Sequence, residues 1–222
     1  MRCARSHAPC VVGLPVDNVS ADECAAATLG RMSIQTQATR RMRCVCAAWQ
    51  VPVGAGLLTL AVAALGGHVE LLGPAYLAIV TPELCRVDMR EHRLPNALVL
   101  PGLTLAVAGP LLAWAVTGAP PTGALAAGAA TGVFLVVMHV AGGLGMGDVK
   151  LGTALGLCLG CLGPMAAITG PLIGFVAGGG AALIGMLAPG LGVGHRMPFG
   201  PFLLFGFWAA LVLHVAGSTQ LV

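Results

Sequence analysis

ALVLPGLTLAVAGPLLAWAVT, residues 97–117, runs for 21 residues without one ionisable side chain. A helix of that length is about 30 Å long, the thickness of a bilayer's hydrocarbon core. Six further apolar runs flank it, at 51–67, 71–87, 122–141, 146–163, 165–188 and 200–217. Seven such runs leave too little polar sequence to cover them in water. The composition agrees: 57% of the 222 residues are hydrophobic and 9% charged, against about 25% charged in soluble domains. Mean hydropathy is +0.91, and the 33 glycines fit membrane helices, which tolerate glycine well. The chain is expected to be an all-α, polytopic membrane protein, a bundle of about seven transmembrane helices. Some runs fall short of the usual length, so helices shorter than the bilayer are expected among them.

The positive charges orient this bundle. Arg2, Arg5, Arg31, Arg40, Arg41 and Arg43 precede the first run. Arg86, Arg90 and Arg93 surround the connection after the second, Lys150 follows the fourth, and Arg196 follows the sixth. With seven spans all eleven fall on one side, and the opposite connections carry only His68 and Glu70. The positive-inside rule makes that side the cytoplasm. The N-terminus and the 189–199 connection are then cytoplasmic, and the uncharged tail from Gly217 faces out.

Residues 1–50 read as a cytoplasmic, disordered extension, with a short helix near Ala21–Leu29, and 51–67 as an accessory transmembrane helix. No apolar stretch before residue 51 resembles a signal peptide, and Met32 and Met42 are alternative starts nearer the first span. Cys3, Cys10, Cys24, Cys44 and Cys46 lie here and are expected to be reduced thiols. Cys44-Val45-Cys46 lacks zinc-knuckle spacing. Cys158 and Cys161 have CxxC spacing but sit inside an apolar run, where free cysteine serves as a small apolar residue.

Glycines four residues apart mark helix faces that admit a neighbouring backbone. Gly128 and Gly132 form one such face, Gly152, Gly156 and Gly160 a second, and Gly170, Gly174 and Gly178 a third.

Two carboxylates stand out against this background. Asp148 is the only acidic residue in the last 131 positions, and an acid in apolar sequence is costly enough to need a reason. Asp88 lies at a matching edge, in Arg86-Val87-Asp88-Met89-Arg90. Two acids sharing one proton can activate a water: the ionised one takes a proton from it while the protonated one polarises a carbonyl. Asp148 enters the N-terminal end of its helix and Asp88 follows the C-terminal end of its own. The helix dipoles therefore favour Asp148 as the base and Asp88 as the acid, an assignment that the charges of Arg86 and Lys150 can reverse, in a pair that titrates as a unit. The glycines of Gly142-Gly143-Leu144-Gly145-Met146-Gly147 remove side chains from the approach to Asp148, which lets an extended backbone lie close. They equally suit a loop that needs positive φ. This chemistry needs no metal and no cofactor.

The supporting residues have plainer readings. Glu83 and Arg86 are three apart on a helix and can pair; Glu83 and Glu91 are alternatively receivers for a basic peptide. Lys150 points away from Asp148 and snorkels to the interface. His139, inside an apolar run, reads as a hydrogen-bonded core histidine. His92 and His195 fall in cytoplasmic connections, within reach of a tuning role. Arg90, Arg93 and Arg196 suffice as topology determinants.

Three segments together resemble the type IV prepilin peptidase family, the intramembrane GxGD aspartic proteases that process pilin leaders. Asp88-Met89-Arg90-Glu91-His92-Arg93-Leu94-Pro95-Asn96 is similar to the segment in which the family's first catalytic aspartate precedes basic residues and Pro-Asn. Gly145-Met146-Gly147-Asp148-Val149-Lys150-Leu151 is similar to its GxGD signature, and Met197-Pro198-Phe199-Gly200-Pro201-Phe202-Leu203 to its PFGP segment. Presenilin-type proteases share only GxGD. The resemblance covers about residues 70–217 and implies a six-helix peptidase domain there. It implies Asp88 and Asp148 as the catalytic pair, with Gly145, Gly147, Pro198, Phe199 and Gly200 shaping the site or binding substrate. It further implies cleavage of a short basic leader from prepilins or pseudopilins at the cytoplasmic face of the cell membrane, with substrate entering from the bilayer. Larger members carry a cytoplasmic insert with two CxxC pairs linked to N-methylation. Here the first connection is about three residues long and holds no cysteine, so peptidase activity without methyl transfer is expected.

Two other classes remain open on sequence grounds. A small proton-coupled transporter would use Asp88 and Asp148 as a relay, but the chain shows no internal repeat. A non-catalytic scaffold gives no reason for two acids. Nothing points to a nucleic-acid partner.

Overall fold

A computed structural model describes residues 49–187 and 198–219. These form seven helices, a short 3₁₀ turn at Val69–Leu71, and no strand among the described residues. The helices are α1 Trp49–Leu65, α2 Leu72–Glu91, α3 Asn96–Thr117, α4 Thr122–Val140, α5 Met146–Leu162, α6 Pro164–Leu187 and α7 Gly200–Thr219. Each apolar run became one helix. The expected extension falls outside the described residues but for Trp49 and Gln50, as do His195, Arg196 and Met197.

The edges moved most at α2. The apolar run ends at Val87, but the helix continues through Asp88 to Glu91 because no glycine or proline interrupts it before Pro95. Asp88 therefore lies within the last turn rather than after it. His92 ends the helix in the left-handed region (φ 52°, ψ 34°), with its N–H on the Asp88 carbonyl at 2.9 Å. Histidine is among the few non-glycine residues that enter that region readily.

Neighbouring helices run antiparallel, and the glycine faces form the seams. On α4, a methyl added to Gly128 would meet Leu157 of α5, and one on Gly132 would lie 2.8 Å from the Thr153 hydroxyl. From α5, a methyl on Gly156 would lie 2.8 Å from Thr131 and one on Gly160 2.6 Å from the Ala124 Cα. The α6/α7 seam is built alike: Gly174 faces the Phe202 carbonyl at 3.0 Å and Gly178 holds the Phe199 ring at 2.6 Å, both measured from an added Cβ. In a membrane such close backbone approach supplies van der Waals contact where no hydrophobic driving force separates protein from lipid. Cys158 uses its thiol as the sequence reading expected, packed against Gly73 of α2 and free of any disulfide.

The core holds Leu77, Leu84, Val99, Leu151, Leu159, Leu204, Phe207 and Leu211, all nearly inaccessible. Large apolar side chains also cover the outside, among them Ile79, Val116, Val133, Val140, Met165, Ile168, Val176 and Ile184. A soluble protein would not expose that much contiguous apolar surface. Four helices are long and apolar enough to cross a membrane: α3, α4, α6 over Pro164–Gly185, and α7. The other three fall short for separate reasons. α1 is an apolar but shorter helix, α5 has 17 residues, and the second half of α2 carries Glu83, Arg86, Asp88, Arg90 and Glu91. The protein is a multi-pass helical membrane protein.

Several polar side chains pair across helices. Trp208 of α7 donates its indole N–H to the Thr81 hydroxyl of α2 at 3.2 Å, and that hydroxyl donates to the Leu77 carbonyl at 2.6 Å. Tyr76 of α2 donates to the Leu98 carbonyl of α3 at 3.0 Å. Glu83 pairs with Arg86 at 2.9 Å, as their spacing predicts, and also accepts from Gln50 of α1 at 2.6 Å.

Candidate active site

Antiparallel packing brings the end of α2 and the starts of α3, α5 and α7 to one end of the bundle. Asp88 arrives on α2 and is 3% exposed. Its Oδ2 accepts the backbone N–H of Gly200, the first residue of α7, at 3.0 Å. A Cβ at position 200 would stand 2.8 Å from that same oxygen. Glycine is thus what lets the backbone come near enough to bind the acid.

Asp148 arrives on α5. Gly145 is the N-cap, in extended geometry (φ −78°, ψ 149°), and Asp148 is the third helical residue. Its Oδ2 accepts the Gly145 N–H at 3.2 Å. This is half of a capping box, since glycine has no side chain to complete the other half. The second oxygen, Oδ1, is buried and bonds to nothing among the described residues. The loop leading in is set by Gly142, at φ 85°, and by His139, whose Nδ1 donates to the Leu144 carbonyl at 2.8 Å. His139 is hydrogen-bonded as expected, but from the last turn of α4, where it fixes the entry to Gly145.

The third segment enters ahead of α7. The Phe199 carbonyl accepts the N–H groups of Phe202 and Leu203 at 3.1 and 3.2 Å, which starts the helix. The Phe199 ring lies over Gly178 and 5.0 Å from the Phe175 ring, centroid to centroid. Pro198 precedes it in non-helical backbone. Together they hold Gly200 against Asp88.

The three segments converge on a residue that sequence reasoning passed over. Leu94, in the α2–α3 connection, lies where a Cβ on Gly147 would meet it at 2.8 Å and one on Gly200 at 3.4 Å. The missing side chain of Gly147 therefore makes room for Leu94. At Gly145 a Cβ would lie 3.2 Å from the Asp148 Oδ2. Lys150, expected to snorkel to the interface, donates to the Asn96 side-chain oxygen at 3.0 Å in an exposed contact. The Leu94-Pro95-Asn96 run was the available signal, but a leucine beside a proline carries no chemistry of its own.

Leu94 stands beside both Gly147, the residue before Asp148, and Gly200, which binds Asp88, so the two acids come to the same end of the bundle, although α2 and α5 themselves meet over a short stretch only. The dipole argument needs amending here. Asp88 does sit at the C-terminal end of its own helix, but it also caps the N-terminus of α7, so both acids hold an N–H at a helix start. Each carboxylate spends one oxygen on the backbone, and the other oxygen of Asp148 has no hydrogen-bond partner among the described residues. Among the described residues no three His, Cys, Asp or Glu side chains gather as metal ligands.

The chain matches the type IV leader peptidase family over residues 75–215, a stretch that contains all three segments. It is similar to the prepilin leader peptidase/N-methyltransferases of Burkholderia pseudomallei strains 1026b and K96243. Each is 30% identical over 225 residues, covering 94% of this chain and 71% of the relative. No solved structure matches. With the match taking in most of the bundle and both buried-edge acids, the chain belongs to the type IV leader peptidase family.

Proposed function

We propose that this leader peptidase is an intramembrane aspartic endopeptidase in which Asp88 and Asp148 share one proton and activate a water. The observation that supports the proposal is two acids at one end of the bundle, each anchored by one backbone N–H, with the Asp148 Oδ1 buried and without a partner among the described residues. The ionised carboxylate takes a proton from water, and the hydroxide adds to the peptide carbonyl. The protonated carboxyl donates to the developing oxyanion. The proton gained from water then passes to the leaving amine as the C–N bond breaks, a hydroxyl of the gem-diol returns its proton to the other carboxylate as the new carboxyl forms, and the pair regains its starting charge. Asp148 serves as base and Asp88 as acid. Asp88 keeps the C-terminal carbonyls of α2 around it, and these oppose a negative charge.

The substrates are prepilin-like or pseudopilin precursors. Their basic leaders are cut at the cytoplasmic face of the cell membrane, the side to which all eleven Lys and Arg residues are assigned. Gly145, Gly147, Pro198, Phe199 and Gly200 shape the cleft. Co-expression with a prepilin from the same genome tests the pair. Asp88→Asn and Asp148→Asn are each expected to abolish leader cleavage while the protein still inserts, and full cleavage by either variant overturns the mechanism. The activity proposed is cleavage alone. The connection from Gly66 to His68 ahead of the 3₁₀ turn is three residues long and carries no cysteine, which supports this reading. Purified protein given S-adenosylmethionine and processed pilin should transfer no methyl group; a methylated product would refute this part.

A further inference from the structure

The two acids ride on helices that touch each other little; α3 and α7 pack against both, so their relative placement is set by what lies between them. α2 meets α5 over a short stretch, whereas α4 and α5, or α6 and α7, are zipped along glycine seams. Between Asp88 and Asp148 the structure places a strap: the α2–α3 connection, His92 to Pro95, with Asn96 opening α3. Its start is fixed at the acid itself, since the His92 N–H binds the Asp88 carbonyl at 2.9 Å. Leu94 then wedges between Gly147 and Gly200, one residue before Asp148 and at the residue that binds Asp88. The far end is fastened by Lys150, two residues beyond Asp148, on the Asn96 side-chain oxygen at 3.0 Å. A closed circuit results, running from Asp88 through the strap to Asn96, across one hydrogen bond to Lys150, and back along the first turn of α5 to Asp148.

We propose that Asn96 and Lys150, seated over the Leu94 wedge, are positioning residues that set the separation of Asp88 and Asp148. Neither reaches the reacting atoms. Without the fastening, the connection can lift from Gly147 and the start of α5 can drift from α2. Placement errors of about 1 Å are enough to cost about a hundredfold in rate. Lys150 suits the task because its flexible stem can reach Asn96 while its ammonium stays at the wet edge of the bundle. The inference rests on the two-aspartate reading above.

A mutant cycle tests it with a prepilin from the same genome as substrate. Asn96→Ala and Lys150→Met are each expected to lower kcat about tenfold or more with KM unchanged. The double variant should be no slower than the slower single, because opening either side frees the strap. Asn96→Gln, which keeps an amide oxygen for the flexible lysine, should recover the rate. Losses that multiply, a rise in KM at constant kcat, or no recovery by Gln overturn the proposal. So does a lowered unfolding midpoint in detergent with kcat per folded molecule unchanged, which would make the bond merely structural. A second readout needs no substrate. Infrared titration of the carboxyl stretch should show two steps split by the mutual repulsion of the acids. The split should narrow in Asn96→Ala, and an unchanged split counts against the strap. Failure of the wild type to cleave would instead count against the peptidase reading, leaving the infrared split to judge the strap.

Discussion

Gly200 shows how much chemistry one missing side chain can carry. Its N–H is the hydrogen-bond partner of a carboxylate that is 3% exposed, and a buried charged acceptor left unpaired costs several kcal/mol at most sites. A methyl there would press on the Asp88 carboxylate at 2.8 Å, which can swing aside on its own flexible bond. Gly200→Ala should therefore leave insertion and folding nearly intact while slowing leader cleavage by about a hundredfold or more. Gly179, with nothing within 4 Å of an added Cβ, is the control. Gly179→Ala should cleave normally and unfold slightly later, since alanine favours a helix over glycine by about 1 kcal/mol. Cleavage rates in membranes and unfolding midpoints in detergent separate the two. A Gly200→Ala enzyme of normal rate would show that the Asp88–Gly200 contact is dispensable.

At the scale of elements, two kinds of contact divide the work. The glycine seams join α4 to α5 and α6 to α7 into stiff antiparallel pairs. Cross-ties then join the pairs to α2 at the two acids' level and deeper in the bundle. Trp208 on Thr81 is the deep tie, worth about 0.5–2 kcal/mol by the measure of similar bonds inside membranes. The shallow ties are Gly200 on Asp88, Leu94 against Gly147, and Lys150 on Asn96. α3 packs along both α2 and α5, and α5 also meets α6 and α7, so seams and cross-ties belong to one bundle.

Across the whole molecule, what the sequence revealed tracks what is local. Seven apolar runs became seven helices, because span length and lack of charge act within each segment. The glycine spacings foretold the seams for the same reason: residues four apart share a face. The pairing of Glu83 with Arg86 was likewise a within-helix matter. Contacts between distant segments were not legible. Lys150 reads as a snorkelling cation until α3 is seen to bring Asn96 to it. Asp88 reads as an acid at an unfavourable helix end until α7 supplies a second, favourable one. Family resemblance marked both acids without saying what holds them.

One of those distant contacts has a bearing on how the enzyme is made. Asp88 and its partner Gly200 are 112 residues apart, and the partner arrives with the last helix. Both aspartates are synthesised before α7. The nascent chain should stay catalytically silent until that final helix docks, a safeguard for a protease born beside its own apolar helices. A chain stopped after residue 187 should insert yet leave prepilin uncut, and co-expressing residues 188–222 as a separate piece should restore cleavage. Cutting by the shortened chain alone would show that the acids need no late partner.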